Sequence, residues 1–531
     1  MQLVIRQLGA RMLRTAALRC LFWAVLGVQW AVRAVVWAWS HALALMTPRR
    51  RLPPPQDPLL LLPATTLAAR IRSGQVSSES VVRAYGERVS VVQPMLNAVV
   101  EHRLEEALEE ARHVDQLVAR GNAPPAHEQP LLGVPFTVKG SLAVKGLCHA
   151  CANVSRAGVR ADQDALVVRQ LRAAGAIPLL VSTTPEYCLF FETYSQLHGV
   201  TRNPYDTRRT PGGSSGGEAA LLGAGASLVS LASDVGGSAR LPALFCGVFG
   251  HKPTAGVVSD EGHLPVATDP RWPDFFSVSP MCRYAVDLPA VLHAMAGKHA
   301  PRLRLLQPVD VKTLRVLYME ENGSMTSSRV QPELKEAMHK VIQTLNERQN
   351  IQAEKVQIKA FAHSLELTGP TIVSVKGLQD PMAPKYRDSL GTTLLHFMTG
   401  QLPHNAYVLA YELGYGLQKL TPDDVKATLN KATASFKLYM RELLRDDGVL
   451  LYPTYVAPAG YLYNMYGNLV NAVYTAIFNL LGLPATHCPT GLSREGLPLG
   501  IQVVAGPDQD RLCLAVAREI EAALGGWVPP P

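Results

Sequence analysis

An α/β fold is what the sequence predicts: one large domain, a mixed and mostly parallel sheet covered by helices on both faces, and a membrane helix at the N-terminus. Three observations carry that expectation. Short continuous apolar runs alternate with helical patterns along the body, as strands buried on both faces do. No linker-like stretch interrupts residues 60–525, and no period of a solenoid or propeller repeats. The 27 residues from Cys20 to Met46 hold one formal charge, Arg33.

That N-terminal run also holds Trp23, Trp30, Trp37 and Trp39. A helix of its length spans about 40 Å, enough to cross a bilayer with tilt. Arg33 costs about 2.5 kcal/mol on insertion scales, which the surrounding apolar residues offset. A cleaved signal peptide is disfavoured, because the apolar run is too long and no small-residue cleavage site follows it. An interfacial amphipathic helix is the other alternative. Arginines flank both ends, so the positive-inside rule gives no orientation. Pro48 and Pro53-Pro54-Pro55 end the helix. Residues 1–51 are therefore read as the anchor and 52–531 as the body.

Within the body, Ser77 or Ser78 caps a helix through Val81, Val82 and Tyr85. Leu104, Leu108, Ala111, Val114 and Leu117 recur at helical spacing and place a second. Residues 133–138 read as a buried strand ending at Lys139. Residues 164–174 are helical, Gly175 closes that helix, and 177–181 form the next strand. The runs 227–232, 314–318, 449–451 and 501–504 complete the expected strands.

Composition narrows the function. Lys and Arg total 51 against 43 Asp and Glu, a net charge of +8. Residues 1–51 hold eight arginines (Arg6, Arg11, Arg14, Arg19, Arg33, Arg49, Arg50 and Arg51) and no acid, so the body is neutral. That distribution does not fit a nucleic-acid groove. At 47% hydrophobic and 18% charged, the chain is not disordered. The eight cysteines lack framework spacing and read as buried thiols. Cys148-His149-Ala150-Cys151 has C-x-x-C spacing, but no second ligand pair follows it, so no metal site is expected.

The most informative stretch begins Thr210-Pro-Gly-Gly-Ser214-Ser215-Gly-Gly-Glu218 and continues to Ser233-Asp234-Val235-Gly236-Gly237-Ser238-Ala239-Arg240. Glycine allows positive φ and lets backbone N–H groups converge on one point, where they can bind a phosphate or stabilise an oxyanion. A phosphate loop wants a lysine that is not in place. Gly212-Gly213-Ser214-Ser215-Gly216 matches the nucleophile elbow G-x-S-x-G, with Ser214 as nucleophile and His487 as a conceivable base. A purely structural turn explains either element alone, but not both together with Lys139.

On these residues the sequence resembles the amidase signature family. Its defining block is similar to Gly212–Glu218 through Ser233–Pro242 to Gly247-x-x-Gly250-x-Lys252-Pro253-Thr254. Gly133-Val-Pro-Phe-Thr-Val-Lys139 resembles its lysine strand, and Leu497-Pro-Leu-Gly-Ile-Gln502 its C-terminal motif. Within the family the chain is most similar to the membrane-bound fatty-acid amide hydrolases, type 2 form, through Pro280-Met-Cys-Arg-Tyr-Ala285 and Gly525-Gly-Trp-Val528. The resemblance implies a Ser-Ser-Lys triad with Ser238 as nucleophile, Ser214 as proton bridge and Lys139 as base. It implies an oxyanion hole at the N–H groups of Val235, Gly236, Gly237 and Ser238, and no metal or organic cofactor. Lysine serves as base only when neutral, so a reference pKa of ~10.4 must fall by about 3 pH units, or about 4 kcal/mol, which burial can supply. Asp234 and Arg240 read as charged anchors of the nucleophile turn, with Glu218 structural.

The same likeness places Cys188 and Leu189, with Phe190 and Phe191, at the acyl channel. A second apolar patch, residues 394–398 and 407–417, is expected to form a membrane-dipping cap. The reaction implied is cleavage of a lipid amide to fatty acid and amine at an intracellular membrane, by a single-pass or monotopic protein. No nucleic-acid partner is expected, and a homodimer is left open. The alternatives are an amidase for short or soluble amides and a catalytically silent lipid-binding protein. The sequons at Asn153 and Asn322 matter only if the body is lumenal.

Overall fold

The computed structural model describes residues 16–375, 404–419 and 421–531. Residues 394–398 of the expected cap lie outside these. Along the chain come β1 (Val99–His102), β2 (Pro135–Lys139), β3 (Ile177–Ser182) and the short ribbon β4 (Tyr194–Ser195) with β5 (Gly199–Val200). Then follow β6 (Val229–Asp234), β7 (Phe249–Lys252), β8 (Ser277–Cys282), β9 (Arg315–Tyr318) and β10 (Glu354–Lys355). The last three are β11 (Gly448–Pro453), β12 (Ala485–Leu492) and β13 (Pro498–Ala505).

Apart from β4 and β5, these strands make one eleven-stranded sheet ordered β1-β3-β2-β6-β8-β7-β12-β13-β11-β9-β10. Pairing is parallel through β3-β2-β6 and through β11-β9-β10. It is antiparallel at β1-β3 and through the block β6-β8-β7-β12-β13-β11. The sheet is thus mixed: β12 returns directly to β13, while β1-β3, β6-β8, β7-β12 and β11-β13 are antiparallel pairs of strands that are not consecutive in the chain.

Both faces are covered. Along β11, Val449 and Leu451 pack into one hydrophobic cluster and Leu450 and Tyr452 into another. Successive side chains point to opposite faces, so a strand buried at every position must have a core on each side. The helix Ser78–Leu96 starts at Ser77, whose hydroxyl accepts from Ser80 N–H. It packs with the helix Leu104–Ala119 against one face.

The N-terminal helix spans Ala16–Met46. The one charge between Cys20 and Met46 faces the body: Arg33 Nε donates to the Gly467 carbonyl at 2.9 Å, and Nη2 to the Thr326 carbonyl at 3.3 Å. Gly467 permits that approach, since a Cβ there would lie 3.1 Å from Arg33 Cα. The opposite side exposes Val28, Val32, Val35, Trp39 and Met46, whereas the exposed Trp30 and Trp37 share the Arg33 side, with Arg33 Cζ 4.8 Å from the Trp30 ring centroid. Among the described residues no helix is long and apolar enough to cross a membrane. The segment after it is gripped as well, because Arg88 Nη1 donates to the Pro53 carbonyl at 2.7 Å.

Candidate active site

Lys139 closes β2, the third strand from one edge of the sheet, and is fully buried. Its Nζ donates to Ser214 Oγ at 2.7 Å and to Ser233 Oγ at 2.9 Å. Among the described residues no carboxylate lies within ion-pairing distance of Nζ. A lysine in such surroundings can hold or release a proton only through hydroxyl groups. Ser233 passes the contact on, with His263 Nε2 3.0 Å from its Oγ.

Ser214 follows the turn Gly212-Gly213, in which Gly212 has φ of +83°. A Cβ on Gly213 would come within 2.7 Å of the Phe190 carbonyl. That close approach is the reason for glycine there. The Ser215 N–H donates to the Ser238 carbonyl at 3.1 Å, which ties the two glycine turns together. Thr210 Oγ1 accepts from Gly212 N–H at 3.0 Å, steadying the first turn.

Ser238 sits in the turn between β6 and the helix Arg240–Cys246. Gly237 has φ of +121°, and a side chain there would run into Thr475. Asp234 anchors this turn: its Oδ1 accepts the Gly237 N–H at 2.7 Å and its Oδ2 the Ala239 N–H at 3.2 Å. The Gly237 N–H is therefore already engaged. Arg240, wholly buried, bonds Asp234 through Nε and Nη2 at 3.1 Å each. Its Nη1 reaches Gln502 at 2.8 Å and its Nη2 Asn479 at 2.6 Å. Burial opposes ionisation of Asp234, but the Arg240 guanidinium and Asn479 outweigh it and hold the carboxyl at about 2.

Glu218, also buried, bonds Thr137 two residues before Lys139. Burial pushes its carboxyl up to about 7 against the pull of Ser230, Thr137 and Ser182. His487 is in no position to serve Ser214: its Nδ1 pairs with Thr454 Oγ1 at 2.8 Å, and burial lowers it to about 3.

One cavity joins Ser214, Ser233 and Ser238 to Cys188, Leu189 and His263. Its far wall is apolar, with Trp272, Phe276, Ile372 and Val375. The residues singled out in the sequence thus meet here: Lys139 through its bond to Ser214, and Ser214, Ser238, Val235, Cys188 and Leu189 on the cavity wall. Gly236 and Gly237 lie in the turn between Val235 and Ser238. Phe190 instead stacks on Tyr407, ring centroids 4.7 Å apart. Asn153 is buried and donates to Glu186 at 2.9 Å, and Asn322 is buried and donates to Ser327 at 2.9 Å, so both sequons point inward. Among the described residues no group of His, Cys, Asp and Glu could hold a metal ion. Ser233 and His263 escaped the sequence reading. The first stood inside the glycine block and carried a signal, whereas the second sits in a loop and carried none.

The family described as Amidase matches residues 80–514. Fatty-acid amide hydrolase 2-A of Danio rerio is 39% identical over 517 residues, which cover 94% of this chain and 96% of that one. Fatty-acid amide hydrolase 2 of Homo sapiens is 38% identical over 511 residues, covering 94% and 95%. Among solved structures, a fatty acid amide hydrolase shares the fold with a TM-score of 0.71 at 21% identity, covering 88% of this chain and 87% of that one.

Proposed function

The chain belongs to the amidase family and is an amide-hydrolysing enzyme; on that premise we propose that it cleaves fatty-acid amides through Ser238, Ser214 and Lys139. The observation that carries the reading is the buried Lys139 Nζ at 2.7 Å from Ser214 Oγ, at the edge of a cavity that also holds Ser238. A serine hydroxyl is a weak nucleophile until a base takes its proton. In the proposed cycle Lys139 draws a proton from Ser214, which draws one from Ser238 as it attacks the carbonyl carbon. The oxyanion falls to the turn Val235–Ser238, where the Gly237 N–H is held by Asp234 and those of Val235, Gly236 and Ser238 are left to it. The proton returns through Ser214 to the leaving amine, and water then cleaves the acyl-enzyme.

The acyl preference is supported by the cavity wall, where Leu189, Phe276, Ile372 and Val375 offer apolar surface and no charge. Each buried methylene contributes about 0.8 kcal/mol, so a long chain gains far more there than an acetyl group. Cys188 and Leu189 flank the reacting serines as the start of that channel. The names of the relatives support the same substrate class. Membrane contact is supported by the N-terminal helix. With Arg33 turned into the body, the exposed Val28, Val32, Val35 and Trp39 form a face suited to lying in the interface plane.

The test is hydrolysis of an acyl-amide series from short to long chains by detergent-solubilised protein, with Ser238→Ala as the blank. Rates that climb with chain length and vanish in the variant support the lipid reading. Turnover of short amides alone overturns it and leaves the amidase chemistry intact.

A further inference from the structure

Two cysteines meet beside the reacting serines. Cys151 and Cys188, which lie on separate loops, place their Sγ atoms 3.8 Å apart. The loops are clamped by the Tyr187 N–H donating to the Cys151 carbonyl at 3.0 Å. Each crosses the left-handed region without glycine, at Cys151 and Ala152 and at Tyr187 and Cys188. Both thiols also approach one acceptor, the Leu264 carbonyl, at 3.4 and 4.0 Å. The motif Cys148-x-x-Cys151 thus matters through a partner outside it.

The two thiols are not equivalent. Cys188 lines the cavity with Ser214, Ser238 and His263, whereas Cys151 is buried behind it. Burial disfavours a thiolate at both. At Cys188 the hydrogen bond from Cys151, with Lys139 and His263 nearby, outweighs burial and takes the thiol well below its usual range. Cys151 moves the other way. A cavity-lining low-pKa thiol backed by a buried resolving thiol is the arrangement of peroxide-reactive pairs.

We propose that Cys188 and Cys151 are a modification site for hydroperoxides, closing to a disulfide that shuts down the active-site cavity. Cys188 sulfur attacks the distal oxygen of ROOH, breaking the O–O bond and forming a sulfenic acid while the other oxygen leaves as ROH. Cys151 sulfur then attacks the Cys188 sulfur, forming S–S and releasing water. In sum, two thiols and ROOH give the disulfide, ROH and water, with two electrons passed to the peroxide. The sulfurs must close by about 1.8 Å to reach bonding distance. That movement draws on Thr184, whose Oγ1 lies 3.4 Å from Cys188 Sγ and donates to the Ser214 carbonyl at 3.0 Å. Closure therefore disturbs both the channel wall and the bridge serine.

The test treats full-length solubilised protein with hydrogen peroxide and maps its peptides by mass spectrometry. The expected result is a Cys151–Cys188 linked peptide, lighter by two hydrogens, together with loss of amide hydrolysis that dithiothreitol restores. Cys151→Ser keeps basal hydrolysis, forms no link, and accumulates a sulfenic acid on Cys188 that dimedone traps. Failure of the linked peptide to form in the unaltered protein overturns the proposal, as does full activity with the disulfide formed. Peptide mapping needs neither the variant nor a lipid substrate, so it stands or falls apart from the acyl preference.

Discussion

Replacing Arg240 with methionine tests what holds the turn that carries Ser238. The guanidinium is fully buried and makes two bonds to Asp234, one to Gln502 and one to Asn479. Asp234 lies at about 2 against an ordinary 3.8, a depression equivalent to about 2 kcal/mol. A carboxyl lowered in the folded state adds stability above its unfolded value of 3.8, and that stability is lost as pH falls through about 2. Without Arg240 the charge stays buried with only the N–H groups of Gly237 and Ala239 and the Asn479 amide. Breaking a buried pair from one side costs about 3–5 kcal/mol, so Arg240→Met should lose that much at pH 7. The deficit should narrow in acid, where Asp234 takes up a proton, and Asp234→Asn should recover part of it in the double variant. Urea unfolding from pH 4 to 8 reads all three effects. A loss below about 1 kcal/mol, or one that does not change with pH, refutes the reasoning.

Lys139→Ala should lower kcat at neutral pH by about 10²–10⁴-fold, the range of a general base, without a matching rise in KM. Substantial turnover in that variant, read on any accepted amide, removes Lys139 from the mechanism. Glu218 behaves in the opposite sense to Asp234. Its carboxyl is raised from 4.5 to about 7, so stability should fall by about 3 kcal/mol as pH rises through that window. Glu218→Gln should remove its share of this slope in urea midpoints taken at pH 5 and pH 8, leaving that of Glu192 and Glu521, which burial also raises, and an unchanged slope would exclude Glu218 as a source.

Much of the site was legible because its residues cluster in the chain. The two glycine turns and the lysine strand carry their chemistry in contiguous blocks, and β2, β3, β6, β11 and β13 show as apolar runs. Strands β7, β8 and β12 did not. Phe249-Gly-His-Lys and Ser277-Val-Ser-Pro-Met-Cys are buried throughout yet rich in polar residues. Partners for that polarity can lie far across the fold, as where His251 meets Thr486 and Asp510 at 2.8 and 3.1 Å. No local pattern reveals such partners. The same holds for the N-terminal helix. Arg33 counted as a cost of insertion while its partners, the Gly467 and Thr326 carbonyls, lay about three hundred residues or more away. The mixed sheet was likewise visible only in part, because antiparallel pairs such as β1-β3 and β7-β12 join strands that are not neighbours in the chain.

The bond from Arg240 to Gln502 spans 262 residues of chain. During synthesis at roughly 5–20 residues per second, the turn bearing Ser238 emerges and then waits for some 13–50 seconds until its last anchor is made. Over that interval the growing chain carries Arg240 and Asp234 without the strand that completes their enclosure. A product cut short between Arg240 and β13 would display both glycine turns and still lack the anchor that Gln502 gives the second. The ribosome thus cannot give the Ser238 turn its full set of anchors until β13 has been made.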